Sequence, residues 1–363
     1  MKNPVNIAKK SYDKILKIDN LAIQIENLAK KQEILSEKID LTISLINSLS
    51  QNLNDKYIDL NNTILTEYKT NSLRFNALYG TPKETLPNIN RRFLENIPPA
   101  AGALRTFQLG NVKLLKKFID ICTKNKLPYF AQSGTLLGAV RHQGFVPWDD
   151  DTDMAMFRDD IFKLRDILKK DKAYRLTLVY DYYVKSRQLR FRTTDPENPC
   201  FIDVYIYDYG DDDSDKAWDI WQKTKIDISN KIEQENPAII EKWREVGLAD
   251  EATPLGKQLK PIFEKYYDSQ LNSNLNKANY STVNWSLDNF PIKWKRLFKK
   301  DFIFPTKKLT YEGLKISVPN QYDKYLERQY GNIYELPKDL VTHYQHINHS
   351  NINIDAIEKF LSK

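Results

Sequence analysis

The chain has 363 residues, 41% hydrophobic content and a formal net charge of +7 at pH 7. This is enough apolar content for at least one full core, and no stretch reaches the roughly 18 apolar residues of a membrane span, which excludes an integral membrane protein. Two distant cysteines exclude a disulfide framework and a cysteine-based zinc site. The positive charge fits an anionic partner without choosing among nucleotide, phosphorylated glycan and membrane surface.

The N-terminal residues lack the apolar core of a secretory signal. We therefore expect a cytoplasmic protein, or one at the inner face of the membrane, with at most peripheral membrane contact. A concentrated stripe of basic and aromatic residues is missing, so nucleic acid is not an expected partner.

Residues 1–78 predict a long helix, because neither proline nor glycine occurs between Pro4 and Gly80. Apolar residues recur at alternating spacings of four and three, which is typical of a coiled coil. This heptad seam consists of Leu21, Ile25, Leu28, Gln32, Leu35, Ile39, Thr42, Ile46, Leu49 and Leu53. The pattern favours a homo-oligomer, and the alternative is a single helix folded back on the rest of the chain.

Residues 79–104, rich in proline and glycine, predict a linker. A globular core over 105–210 follows, with alternating helix and strand patterns. Its predicted helices are 106–125, 136–141 and 159–170, and its predicted strands are 127–132, 151–157, 176–184, 188–193 and 201–208. Residues 211–363 predict a helical subdomain, with a helix-rich stretch over 218–300 and a hairpin over 309–318. The expected fold is α+β, a mixed sheet with flanking helices.

A cluster of aspartates carries the strongest chemical signal. On a strand, Asp151 and Asp153 point to the same face and can share a metal ion, with Asp149 on that side if the strand begins early. Asp203 lies in the apolar run FIDVYIYD, where a carboxylate is expensive to bury unless it is paired or metal-bound. Asp151, Asp153 and Asp203 are therefore the predicted metal ligands, and Mg²⁺ is the expected ion, with Mn²⁺ as an alternative. Asp150 and Thr152 are expected to point away, towards solvent or into a turn.

The residues before this cluster predict a phosphate-binding turn. Ser133, Gly134 and Thr135 follow a predicted strand and open a predicted helix, where backbone N–H groups and hydroxyls can hold phosphate. Arg141 could bind a diphosphate through two N–H groups. The structural alternatives are a helix N-cap for Ser133 and a surface ion pair for Arg141.

The stretch SGTLLGAVRHQGFVPWDDDTD, followed by IDVYIYD, resembles the LicD family, which includes bacterial phosphocholine transferases and the fukutin-type proteins. The resemblance runs from about Phe107 to about His346, and the long N-terminal helix lies outside it. It implies a nucleotidyltransferase-like fold and transfer of a phospho-alcohol, such as phosphocholine or a polyol phosphate, from a CDP-linked donor to a sugar hydroxyl of a bacterial glycan. CMP would leave.

Under this hypothesis, Asp149 or Asp203 accepts the proton of the attacking hydroxyl. Arg141, Arg190 and Arg192 are expected to hold phosphate oxygens. Of the histidines His343, His346 and His349, whose spacing is a weak zinc signal, His346 is the expected substrate contact.

Two other functions remain open at this point. An enzyme of the same fold could transfer a nucleoside monophosphate to a small acceptor and release pyrophosphate. The chain could also be a non-catalytic coiled-coil scaffold, against which the intact aspartates argue.

Overall fold

The computed structural model describes residues 4–270, 275–335 and 352–363 and contains two compact units, residues 1–83 and 84–363. The first unit consists of helix α1 (Pro4–Tyr79). The apolar seam residues from Leu21 to Leu53 are each between 50% and 67% exposed. In the described part of the chain, no helix combines the length and the apolar character needed to cross a membrane.

The second unit begins with a helix inside the stretch predicted as a linker. Helix α2 (Leu86–Glu95) carries a proline in its first turn and buries Ile89 and Leu94, so this stretch is partly packed. Helix α3 (Gly102–Lys124) follows and buries the face that contains Phe107, Leu114 and Phe118.

Eight strands form one mixed sheet. They are β1 (Phe130–Ala131), β2 (Asp153–Phe157), β3 (Tyr174–Asp181), β4 (Ser186–Thr193), β5 (Phe201–Gly210), β6 (Leu248–Asp250), β7 (Thr282–Trp285) and β8 (Leu297–Lys299). The main order is β1-β2-β5-β4-β3-β6, while β7 pairs with β5 and β8 with β7. Only β2 and β5 pair in parallel among these strands.

Helices surround this sheet, and a separate hairpin completes the unit. The helices are α4 (Ser133–Arg141), α5 (Arg158–Leu168), α6 (Asp215–Glu233), α7 (Pro237–Val246), α8 (Pro254–Tyr267), α9 (Lys300–Ile303), α10 (Tyr322–Tyr330) and α11 (Ile354–Leu361). The hairpin is β9 (Lys307–Tyr311) with β10 (Leu314–Val318). The mixed sheet with flanking helices confirms the expected α+β fold.

Strand β5 changes its partner halfway along its length. Its residues Phe201 to Val204 pair with β4, and its residues Tyr207 to Gly210 pair with β7, both opposite the edge that β2 occupies. The region 218–300, predicted as helical, therefore ends in two strands that extend the sheet. The prediction was wrong there because β7 and β8 are too short to show an alternating pattern.

A buried ionic cluster joins three parts of the second unit. Asp288 is 1% exposed and accepts hydrogen bonds from Arg158 of α5, Arg187 of β4 and the Ser286 hydroxyl. Arg158 also donates to Asp208 of β5 at 2.7 and 2.9 Å. Burial by itself would raise the pKa of Asp288, but the two guanidinium groups outweigh it and hold this pKa below its usual range.

We expect Asp288→Ala to lower the free energy of unfolding by about 3–5 kcal/mol, because it leaves two guanidinium groups buried without their shared carboxylate. Thermal unfolding would measure the loss. Since the pKa of Asp288 is depressed in the folded state, its contribution is present above about pH 3.9 and is lost as the pH falls further.

The matched control is Asp215→Ala, which removes an exposed carboxylate paired with Lys295. It should change stability far less than Asp288→Ala does, because solvent screens an exposed ion pair. Equal effects of the two substitutions would contradict a structural role for the buried cluster.

Candidate metal and phosphate site

Three carboxylates meet where β2 and β5 run side by side. The parallel register places Asp153 next to Asp203, and Asp151 lies two residues before the start of β2. One carboxylate oxygen from each residue lies within 4.8 Å of the other two, and all three residues are buried. The structure thus brings together the three predicted ligands, although Asp151 precedes the strand instead of sharing its face with Asp153.

The electrostatics of this cluster favour a bound cation. Asp153 Oδ1 and Asp203 Oδ2 are buried and have no hydrogen-bond partner among the residues that the structure describes. Burial, followed by the neighbouring charges of Asp151, Asp203 and Asp149, raises the pKa of Asp153 well above its usual value. Buried carboxylates that repel one another need a compensating charge, and hard divalent cations prefer such oxygen ligands. The three residues fit a magnesium-type ion.

The residues between the predicted ligands are not solvated. Asp150 and Thr152 are 2% and 0% exposed, so the expectation that they point to solvent was wrong. Asp149, Asp150 and Asp151 also form a second group of carboxylates with oxygens within 4.8 Å of one another. The whole aspartate run is therefore packed into the protein.

The turn before α4 lies directly against the Asp149 carboxylate. Ser133 adopts a positive φ of 48°, which is uncommon outside glycine, at the point where the chain leaves β1 and enters α4. A Cβ on Gly134 would lie 2.1 Å from Asp149 Oδ2. Only glycine therefore leaves room for the Asp149 carboxylate.

Thr135 has a different place from the one predicted. Its hydroxyl accepts a hydrogen bond of 2.7 Å from the Asp153 backbone N–H, and its side chain is buried. This hydrogen bond holds the backbone at the start of β2. Thr135 is not among the residues that line the cavity described below.

The predicted arginines separate into three environments. Arg190 lines the cavity, donates to Asp203 Oδ1 at 3.0 Å and lies 4.0 Å above the Phe201 ring. Arg192 is bound to Thr177 and Asp250 and does not line the cavity. The two arginines lie two residues apart on β4 and therefore on one face of it, but they contact different carboxylates.

Arg141 is likewise occupied by protein groups. It is 5% exposed, donates to the Ile333 carbonyl at 2.7 Å and to His142 at 2.9 Å, and lies over the Trp148 ring. Burial lowers the pKa of Arg141 to about 10. The structure does not place it in the cavity, and it is not the predicted surface ion pair either. His343, His346 and His349 lie outside the described residues.

Arg296 is a site residue that the sequence did not reveal. Its fully buried guanidinium lies 4.2 Å from the Trp285 ring centroid and 4.3 Å from that of Trp294. It donates to Gln132 at 3.3 Å and to the Ser133 hydroxyl at 3.2 Å. Its charge partly offsets the raised pKa of Asp153. No local motif marks Arg296, because its hydrogen bonds to Gln132 and Ser133 join residues 164 and 163 positions apart in the chain.

A cavity of about 610 Å³ opens over the acidic cluster. Ser133, Gly134, Asp149, Asp151 and Asp153 form one part of its lining. Another part is aromatic and consists of Tyr183, Tyr205, Phe290 and Tyr330. Tyr205 was predictable in principle, since it lies two residues after Asp203 on the same face of β5; Tyr183 and Phe290 come from turns that carry no motif.

Comparison with known proteins points to one family. The family model described as LicD/FKTN/FKRP, nucleotidyltransferase domain, matches residues 126–238. The lipopolysaccharide cholinephosphotransferase LicD of Haemophilus influenzae is 25% identical over 253 residues, which cover 65% of this chain and 93% of that protein.

Two uncharacterized proteins match shorter segments. RP689 of Rickettsia prowazekii is 41% identical over 73 residues, and RT0683 of Rickettsia typhi is 44% identical over 70 residues. These matches cover 20% and 19% of this chain, and about a quarter of the length of each of those proteins.

We expect Gly134→Ala to lower transfer turnover by about 10- to 100-fold, because its methyl group displaces the Asp149 carboxylate, and misplacements of about 1 Å have effects of this size. Steady-state kinetics would measure the loss. Gly144→Ala is the matched control, since its Cβ would lie 2.6 Å from Glu312 Oε1, outside the cavity. Similar losses of turnover in both variants would show that the effect is one of folding.

Proposed function

We propose that this chain, which belongs to the LicD family and is a LicD-type phosphotransferase, transfers phosphocholine from a CDP-linked donor to a sugar hydroxyl of a surface glycan and releases CMP. The observation that carries this proposal is the buried trio Asp151, Asp153 and Asp203, in which two oxygens have no hydrogen-bond partner among the described residues. Asp151 and Asp153 also line a cavity of about 610 Å³. The glycan acceptor is proposed from the name of the Haemophilus influenzae relative, a lipopolysaccharide cholinephosphotransferase.

Mg²⁺, or Mn²⁺ in its place, is the proposed cofactor, held by Asp151, Asp153 and Asp203. When bound, it supplies positive charge against the oxygens of the donor diphosphate. Without that charge, the buried carboxylates would repel an anionic donor.

The protein side chains have the remaining roles of phosphate binding and proton acceptance. Arg190 lies beside the trio and can contact a phosphate oxygen while it holds Asp203 in place. Because Arg190 occupies one Asp203 oxygen and Asp149, unlike Asp203, lines the cavity, Asp149 is the better-placed acceptor for the proton of the attacking hydroxyl. Ser133 and Gly134 form a turn beside this carboxylate and line the same cavity, where they can contact the donor phosphates.

The aromatic part of the cavity favours choline over a polyol. Four aromatic rings line the same space as the carboxylates, and Tyr205 is supported by rings of Trp285 and Phe290 at 5.4 and 5.6 Å. Aromatic faces attract quaternary ammonium groups, whereas they gain no comparable electrostatic attraction from an uncharged polyol. Asp181 adds a negative charge to the same lining.

The test is to incubate the full chain with Mg²⁺ and CDP-choline, CDP-glycerol or CDP-ribitol, with and without a glycan acceptor, and to measure CMP. We expect CDP-choline to give the highest kcat/KM. Release of pyrophosphate from a nucleoside triphosphate would instead support nucleotidyl transfer, and no turnover with any donor would support a scaffold.

The same experiment needs a variant that separates chemistry from folding. Asp153→Asn should lower CMP release by at least about 1000-fold. It should also abolish the rise in melting temperature that Mg²⁺ produces in the wild-type protein. Unchanged turnover together with an unchanged response to Mg²⁺ would exclude Asp153 as a metal ligand.

We also propose that α1 forms a homo-oligomeric coiled coil, most simply a parallel dimer. Isoleucine dominates one position of the heptad and leucine the other, the combination that favours two parallel strands, while Gln32 fixes the register. The exposure of the seam in the single chain supports this assembly. The unpaired state of Cys122 and Cys200 supports a reducing compartment, in the cytoplasm or at the inner face of the membrane.

Ile39→Lys with Ile46→Lys should convert the oligomer to a monomer, because it places four charges in the core of a dimer. Light scattering after size-exclusion chromatography would measure the mass. Ile34→Lys with Leu41→Lys is the matched control, because both residues are exposed but lie on the opposite side of α1. If both variants became monomeric, or neither did, the assignment of the heptad seam as the oligomer contact would be contradicted.

A further inference from the structure

A second cavity lies at the far end of β2 from the acidic cluster. It has a volume of about 510 Å³, and its lining includes Phe157, the last residue of β2. Asp153 begins that strand, so the two sites are about 13 Å apart along it, given about 3.3 Å per residue. None of the described residues lines both cavities.

Four lysines surround this second cavity: Lys126, Lys277, Lys300 and Lys308. All four are exposed at its rim. Among the described residues that line it there is no aspartate or glutamate. Four like charges around one concave surface create a positive potential that attracts anions.

Two of these ammonium groups are held in place by neighbours. Lys308 donates to the Ser317 hydroxyl at 2.8 Å and lies 5.4 Å from the Tyr129 ring centroid. Lys300 lies 4.3 Å from the Tyr280 ring centroid. Side chains that are already ordered lose less entropy when a ligand binds.

The balance of charge changes next to this cavity. The neighbouring cavity shares Tyr280, Lys300 and Phe304 with it and adds Lys299, but it is also lined by Asp211, Asp213 and Asp301. The change in lining limits the region suited to an anion to roughly the dimensions of the first cavity.

The rest of the lining is aromatic and hydroxylic. The rings of Phe157 and Phe304 stack at 5.7 Å, and Tyr280 meets Phe157 at 5.3 Å. Thr123 and Thr306 add hydroxyl groups. Phe157 is buried and stacked between Tyr209 and Phe304, so the half-buried rings of Phe304 and Tyr280 are the apolar groups available to a sugar ring. The threonines provide hydrogen-bonding groups for its hydroxyls, and the lysines provide ammonium groups for a phosphate.

We propose that this lysine cavity is a second binding site, for a phosphorylated saccharide, separate from the site of phosphocholine transfer. The ammonium groups bind the phosphate, and the aromatic residues contact the ring. The site does not depend on the proposed transfer reaction, since it uses none of the residues assigned to it.

Isothermal titration calorimetry of the full chain with glucose 6-phosphate tests this proposal. We expect a Kd of about 1 mM or tighter, weakening as NaCl is raised from 50 to 300 mM. Lys300→Ala with Lys308→Ala should raise the Kd at least tenfold. Lys257→Ala with Lys324→Ala, which removes two exposed lysines outside both cavities, should leave the Kd unchanged.

The other arms identify the ligand and the site. Glucose and inorganic phosphate should each bind at least tenfold more weakly than glucose 6-phosphate. If inorganic phosphate bound as tightly as glucose 6-phosphate, the saccharide assignment would be overturned. If both double-lysine variants lost affinity for glucose 6-phosphate to a similar extent, the proposed location of the site would be overturned. Asp153→Asn should retain binding even where transfer is lost; loss of binding in this variant would place the ligand in the acidic cavity instead.

Discussion

The parallel pairing of β2 with β5 is the contact on which the acidic site depends. It sets Asp153 beside Asp203 inside the protein, where the two carboxylates repel each other and have lost their water. Removing an ion from water costs several kcal/mol in a real protein, so this arrangement persists only with compensating charge. Arg190 supplies part of this positive charge through its hydrogen bond to Asp203, and the nearby guanidinium of Arg296 supplies a further part. The two oxygens without a partner among the described residues leave room for a metal cation.

This need for compensation explains why the C-terminal half of the chain joins the sheet. Arg296 lies between the rings of Trp285 and Trp294, and Trp285 ends β7, which pairs with the second half of β5. A guanidinium buried this deeply requires aromatic faces and hydrogen-bond acceptors around it. The segment that was predicted to be a helical subdomain thus contributes charge beside the acidic cluster. Trp285 also packs against Tyr205, which lines the cavity over that cluster.

The sequence predicted which carboxylates lie close together better than it predicted the backbone that places them. Asp203 stood out because an aspartate within an apolar strand needs a partner, and Arg190 is one. Asp151 and Asp153 lie close together although β2 begins only at Asp153, since the packed loop brings Asp151 close without strand geometry. Arg296 and the strand β7 could not be predicted, because their roles arise from contacts between segments about 80 to 160 residues apart. Local patterns carry no information about such pairings.

The two cavities at opposite ends of β2 differ in how they can attract an anion. An anion approaching the acidic cavity meets carboxylates and gains attraction only when a cation is present, whereas the lysine cavity attracts the same charge directly. A phosphorylated saccharide without affinity for the metal would therefore accumulate at the lysine cavity. The proposed donor, whose diphosphate can bind a cation, would prefer the acidic one. If both proposals hold, charge of opposite sign at the two ends of one short strand would keep two phosphate-bearing ligands from competing for a single site.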